Sequence, residues 1–165
     1  MGAYDIKWLV YFHMDMTGEY KIAAPRDEVW AALNDAEVLK ACIPGCQELE
    51  KTSDTEMNAK VVLKIGPVKA KFKGDVELLN IKAPASYTIQ GEGSGGIAGF
   101  AKGHADVVLV EDGEGTILSF TAHANVGGKI AQLGSRLIDS TAKKLANKFF
   151  DNFHDYLSDD DPEAE

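Results

Sequence analysis

The sequence predicts an α+β fold of the helix-grip type: a curved antiparallel sheet wrapped around a long C-terminal helix, with two short helices after the first strand. Three observations predict it. Between residues 57 and 126 apolar and polar side chains alternate in run after run, the period of strands with one buried face. From Gly128 to about Leu157 the apolar residues recur at steps of three or four, the period of an amphipathic helix. Ahead of the strands, two short segments carry helix starts and stops. The order strand, two helices, strands, helix places all the strands in one layer, with the last helix laid across it.

Each element follows from local chemistry. Met16, Gly18, Tyr20 and Ile22 alternate with polar neighbours and form a first strand. In "APRDEVWAALND", Pro25 suits the first position of a helix, and Asp27 and Glu28 complement the positive end of its dipole. Asp35 caps the second helix, "AEVLKACIPG", which Pro44 and Gly45 stop. In "MNAKVVLKIG", Met57, Ala59, Val61, Leu63 and Ile65 share one face. Gly66-Pro67 turns the chain, and "VKAKFKGDVELL" repeats the alternation, so the two runs form a hairpin. "SYTIQGEG", "GFAKGHADVVLVED" and "GTILSFTAHANV" add three strands, the last two joined across "EDGEG". In the closing helix Ile130, Leu133, Leu137, Thr141, Leu145, Phe149 and Phe153 make the apolar stripe.

With 165 residues and 45% hydrophobic content, the chain suits one domain with a sizeable core, assigned here to residues 16–157. The net charge of -9 argues against nucleic-acid binding, which needs a concentrated basic surface. More than half of that charge sits in "SDDDPEAE", residues 158–165, an acidic tail with nothing apolar to bury and an expected lack of order. Residues 1–15 read as an N-terminal extension. Their apolar run, Ile6 to Met14, is interrupted by Lys7 and is far shorter than the roughly 20 residues that span a bilayer. A start at Met14 or Met16, an added strand and a partner-binding arm all fit this segment.

A search for catalytic chemistry finds no positive case. Gly91 to Gly96 spell G-x-G-x-x-G, yet a strand pattern follows where a dinucleotide loop needs a helix, so these glycines are expected at a bend or a close backbone approach. Cys42 and Cys46 lack the second ligand pair of a zinc site and read as reduced thiols. His104 and His123 have no Cys or Glu at ligand spacing and read as exposed strand histidines, so no metal site is expected. Ser135 reads as a small helical residue, and Glu111-Asp112 lies in a turn without the apolar surroundings that raise a carboxyl pKa.

The stronger signal is geometric. A sheet that grips a helix can leave an apolar space between them, and the candidate lining residues are Leu63, Phe72, Phe100, Phe120, Ile130, Leu133 and Leu137. Burying about 300 Å² of an apolar ligand there would gain roughly 7 kcal/mol before association costs. A second feature is the row Lys60, Lys64, Lys69, Lys71 and Lys73, outward on one hairpin of an acidic protein. It suits either a solvated face that discourages edge pairing or a docking patch for an acidic partner or anionic headgroups.

Four segments in this order, "AALNDAEVLKACIPGC", "KIGPVKAKFKG", "GEGSGGIAGFAKGHADV" and "GGKIAQLGSRLIDSTAKKLANKFF", resemble the CoxG family of carbon monoxide dehydrogenase subunits, in the START-like, polyketide-cyclase-like superfamily. The resemblance covers about Met16 to Phe153. It implies a helix-grip fold with an elongated hydrophobic cavity, no catalytic residues and no covalent cofactor. It further implies an accessory role beside a molybdenum-containing carbon monoxide dehydrogenase or related hydroxylase. In that role the protein would carry a quinone, menaquinone or ubiquinone, or a lipid, and bring the enzyme to the membrane. The expected location is the cytoplasm, with transient contact at the inner face of the cell membrane. Some members append a membrane-binding segment, whereas this sequence closes on "SDDDPEAE", which anionic lipids repel. Two other readings of the same cavity are a cyclase-like or hydrolase-like enzyme and a ligand-free assembly factor.

Overall fold

The computed structural model describes residues 11–159. Seven strands form one antiparallel sheet: β1 (Tyr11–Ile22), β2 (Cys46–Lys51), β3 (Glu56–Ile65), β4 (Val68–Lys82), β5 (Ser86–Ser94), β6 (Phe100–Asp112) and β7 (Gly115–Gly127). Helices α1 (Arg26–Leu33) and α2 (Ala36–Cys42) follow β1, and α3 (Ser135–Asp159) closes the described chain. The strand order is β1-β7-β6-β5-β4-β3-β2, so β2 to β7 form a meander and β1 returns to its far edge. Helix α3 lies across the sheet, packed against α2, β1 and β3. The helix-grip expectation is met.

Local chemistry acts where the sequence placed it. Asp35 accepts a hydrogen bond from the Glu37 amide and caps α2, and the β3–β4 hairpin turns at Gly66-Pro67. Asn152 on α3 donates through Nδ2 to the Cys42 carbonyl at 3.0 Å, which ties the last helix to the end of α2. Thr116, 1% exposed, donates through Oγ1 to the Ala24 carbonyl at 2.8 Å and joins β7 to the segment entering α1.

Three features go beyond or depart from the sequence reading. Strand pairing begins before residue 16: Tyr11 to Asp15 pair with Gly127 to His123, because β7 is long enough to template them. The rest of the expected extension, residues 1–10, and the tail from residue 160 lie outside the described residues. Strand β2, with its apolar residue Leu49 among charges, carries too weak an alternation to read from sequence. The closing helix is not continuous from Gly128. A 3₁₀ turn, Lys129–Leu133, ends at Gly134, whose φ of 93° no residue with a Cβ holds cheaply, and α3 starts at Ser135 and runs past Leu157 to Asp159.

The core divides into two clusters. One joins Val29, Val38, Leu78, Leu109, Leu118 and Phe153, where α1, α2 and the end of α3 meet the sheet. The other joins Ile65, Val126, Ile130, Ala131 and Ile138, where the 3₁₀ turn and the start of α3 meet it. This division places the candidate site.

Candidate functional site

Helix α3 reaches one cluster through Ile138 and the other through Phe149, about 16 Å farther along at 1.5 Å per residue. Between them, the inner face of the sheet carries small residues. Met14, Ala124, Gly103, Gly91 and Val76 form one inner row across five strands, and Ala101, Gly93, Gly74 and Ala59 lie in the next. The glycines and alanines among them present little side chain toward the helix. Val61, Leu63 and Leu145, apolar and half-buried, join neither cluster. These half-buried side chains mark the region under the middle of α3, flanked by packed core at both ends, as the candidate site.

Six of the seven expected lining residues face the interior. Phe72, Ile130, Leu133 and Leu137 belong to the second cluster or pack on it, Phe120 packs on the first, and Leu63 faces inward between them. Phe100 does not. Strand alternation that turns Ala101 and Gly103 inward turns Phe100 outward, where it is 43% exposed beside Lys73, Asp75 and Lys102.

The end wall nearest the first cluster is aromatic. The Tyr20 ring stacks on Phe150 with centroids 4.0 Å apart and lies 6.2 Å from Phe120. Phe149 meets Phe150 edge-on at 4.9 Å. The Tyr20 hydroxyl donates to Asn147 Oδ1 at 2.7 Å and links β1 to α3 across the wall. Burial raises the Tyr20 pKa, with the Asp151 charge adding to it, so the phenol stays neutral and able to donate. Sequence reading missed this pair; the inward parity of Tyr20 on β1 was its only trace.

The lysine row is assembled as expected. Lys64 stands opposite Lys69 and Lys60 opposite Lys73, with Lys71 opposite Val62, all on the outer face of β3 and β4. Like charges directly opposed destabilise a sheet, and Glu48 relieves one pair by bonding Lys60 at 3.2 Å. At the same end, Ile97 in the glycine-rich connection is 90% exposed. That connection is a short 3₁₀ turn, Gly96–Ala98, closed by Gly99 at φ 126°, where an added Cβ would meet the Gly127 carbonyl. Of the G-x-G-x-x-G glycines, Gly91 and Gly93 pair within the sheet and Gly96 starts the turn at φ 64°.

A separate open groove of about 730 Å³ lies at the opposite end of the sheet, between residues 21–26, the β6–β7 turn and His154. Arg26 crosses it to Glu111 at 3.0 Å. The apolar lining set does not border it.

Cys42 is buried, Cys46 half-buried, and both are free thiols. Burial pushes both thiols up, so neither is poised as a nucleophile. The histidines differ from expectation. His123 is not isolated: it meets His13 and Asp15 of β1 and lies beside His104 of β6. No ligand spacing was visible because His13 and His123 are far apart in sequence and are joined only by strand register. Among the described residues, no helix is long and apolar enough to cross a membrane.

Comparison with known proteins agrees with this fold. The family model for the CoxG subunit of carbon monoxide dehydrogenase matches residues 18–158. A conserved protein from Geobacillus kaustophilus has a similar structure, with TM-score 0.84 and 31% identity over 88% of this chain and 96% of that one. The Zhui aromatase/cyclase from Streptomyces sp. R1128 matches with TM-score 0.66 and 12% identity, covering 88% of this chain and 93% of that one. Norcoclaurine synthase from Thalictrum flavum matches with TM-score 0.60 and 14% identity, covering 98% and 95% respectively. The last two likenesses speak for the fold alone. No curated protein is detectably similar to the chain.

Proposed function

The chain belongs to the CoxG family of carbon monoxide dehydrogenase subunits, and from that premise we propose that it is a non-catalytic accessory protein that holds a hydrophobic ligand under α3. One observation carries the reading. Inward-facing apolar side chains, Val61, Leu63 and Leu145, stay half-buried between two packed clusters and opposite a run of glycine and alanine. Apolar surface left uncovered inside a fold costs stability unless something covers it. A quinone or a lipid meets the chemistry of the space: a long apolar body fills it, and a polar head finds the Tyr20–Asn147 pair at the end wall. The partner is a molybdenum-containing carbon monoxide dehydrogenase or a related hydroxylase. Exposed Ile97 and the lysine row, at one end of the sheet, suit transient contact with an anionic membrane surface through which the ligand is loaded.

Native mass spectrometry of protein purified from its own host without detergent, with organic extraction of what is released, tests the reading. A stoichiometric quinone or lipid is expected, and Leu137→Arg, which drives a charge into the space, should abolish it. Full occupancy in the Leu137→Arg protein would refute the site.

A further inference from the structure

Outside the apolar space, the outer face of β1, β7 and β6 gathers three histidines and a carboxylate. Register sets the placement: Asp15 of β1 stands opposite His123 of β7, which stands opposite His104 of β6, and one step along, His13 stands opposite Asn125. His13 Nε2 and His123 Nδ1 both approach Asp15 Oδ1, at 2.7 and 2.5 Å. The two imidazoles are nearly parallel, with centroids 5.9 Å apart. One donor atom from each of His13, Asp15 and His123 lies within 4.8 Å of the others.

From this cluster we propose a zinc-class divalent metal site built by His13, Asp15 and His123. Two imidazole nitrogens and one carboxylate oxygen are the donor set that borderline first-row ions such as Zn²⁺ prefer. Donors bound to zinc at about 2.0–2.1 Å in a tetrahedron stand roughly 3.4 Å apart, so the observed spacing closes by small rotations of exposed side chains. The orientation of His13 is prepared. Its Nδ1 is engaged with Asn125 Oδ1 at 3.0 Å, the outer contact that fixes a ligating imidazole so that its other nitrogen faces the ion. The three donors leave a solvent-facing position for water. His104, with its ring centroid 5.2 Å from that of His123, flanks the site.

The ion would bridge β1 to β7 near the start of the described chain. Met14, between the two β1 ligands in sequence, points to the other face and packs on the second core cluster, beside the apolar space. Metal binding therefore pins the strand that closes one side of that space. The inference is independent of what the space holds, since it rests on the opposite face of the sheet.

The test uses the whole chain, purified without a histidine tag and stripped with chelator. Titration calorimetry with Zn²⁺ alone should give one ion per chain at micromolar affinity or tighter. With free zinc about 100-fold above Kd, thermal unfolding should rise by roughly 5 °C or more. Both effects should vanish in His13→Ala and in His123→Ala and persist in His154→Ala, whose imidazole lies on α3 at the other end of the molecule. Asn125→Ala should weaken binding by about tenfold. Should a variant fail to fold, imidazole ¹⁵N resonances of the natural protein decide: those of His13 and His123 should shift with zinc while that of His154 stays. Absence of saturable one-to-one binding below about 100 µM, or full affinity without either β1–β7 histidine, overturns the proposal.

Discussion

At the scale of single residues, conformational demand and burial decide most of the outcomes. Gly134 holds φ 93° with nothing within 4 Å of an added Cβ, so Gly134→Ala meets no clash and isolates backbone strain. Loss of about 1–3 kcal/mol is expected, read as a lowered urea midpoint at unchanged slope. Tyr87 is 5% exposed and packs edge-on against Trp30 at 5.1 Å. Burial pushes its phenol far above its usual 10.0. A folded pKa raised above the unfolded one means that stability is intact below about pH 10 and falls as pH rises beyond it, since only the unfolded chain can ionise there. Thermal scans between pH 8 and 11 should show that fall, and Tyr87→Phe should flatten it. An identical alkaline limb in the variant would assign the loss to other groups.

At the scale of elements, the last helix is held at its two ends rather than along its length. Phe153, fully buried, anchors the far end in the first cluster, and truncation to Ala should cost about 3–5 kcal/mol by equilibrium unfolding. Leu145, midway and half-buried in neither cluster, has no such role, so Leu145→Ala should cost well under half as much in ligand-free protein. Comparable losses would mean that the space under the helix is packed core. The alternation that predicted β3 to β7 and the three-four recurrence that predicted α3 were legible because each is a local consequence of one buried face. Strand β2 was not, because an edge strand with one inward apolar residue has little period to show. The break at Gly134 was invisible for another reason: the apolar recurrence runs through it, as Ile130 and Leu133 pack on the same cluster from a 3₁₀ turn.

At the scale of the whole molecule, the two faces of the sheet divide the work. The inner face carries the candidate ligand site, and the outer face carries the lysine row and the histidine cluster. Each Lys near an anionic surface contributes about 1 kcal/mol, so Lys69→Glu with Lys71→Glu should weaken binding to vesicles containing anionic lipid by more than tenfold. The fold should tolerate the change, because Glu at 69 would face Lys64 and convert a repulsive pair into an attractive one. Unchanged vesicle binding would remove the row from the docking surface.

The sequence alone determined the fold class, the lysine row and the inward side of the apolar set except Phe100, since periodicity assigns each side chain to a face before any partner is known. Its resemblance to a family carried the expected role. Only the tertiary structure decided what those faces enclose. Whether Leu63 and Leu145 pack or stay half-open depends on how far glycine and alanine on distant strands let the sheet stand from the helix. Whether His123 is solitary or meets His13 and Asp15 depends on a register between β1 and β7, which lie far apart in sequence. Local pattern carries direction; distance between segments far apart in sequence exists only once the chain has closed.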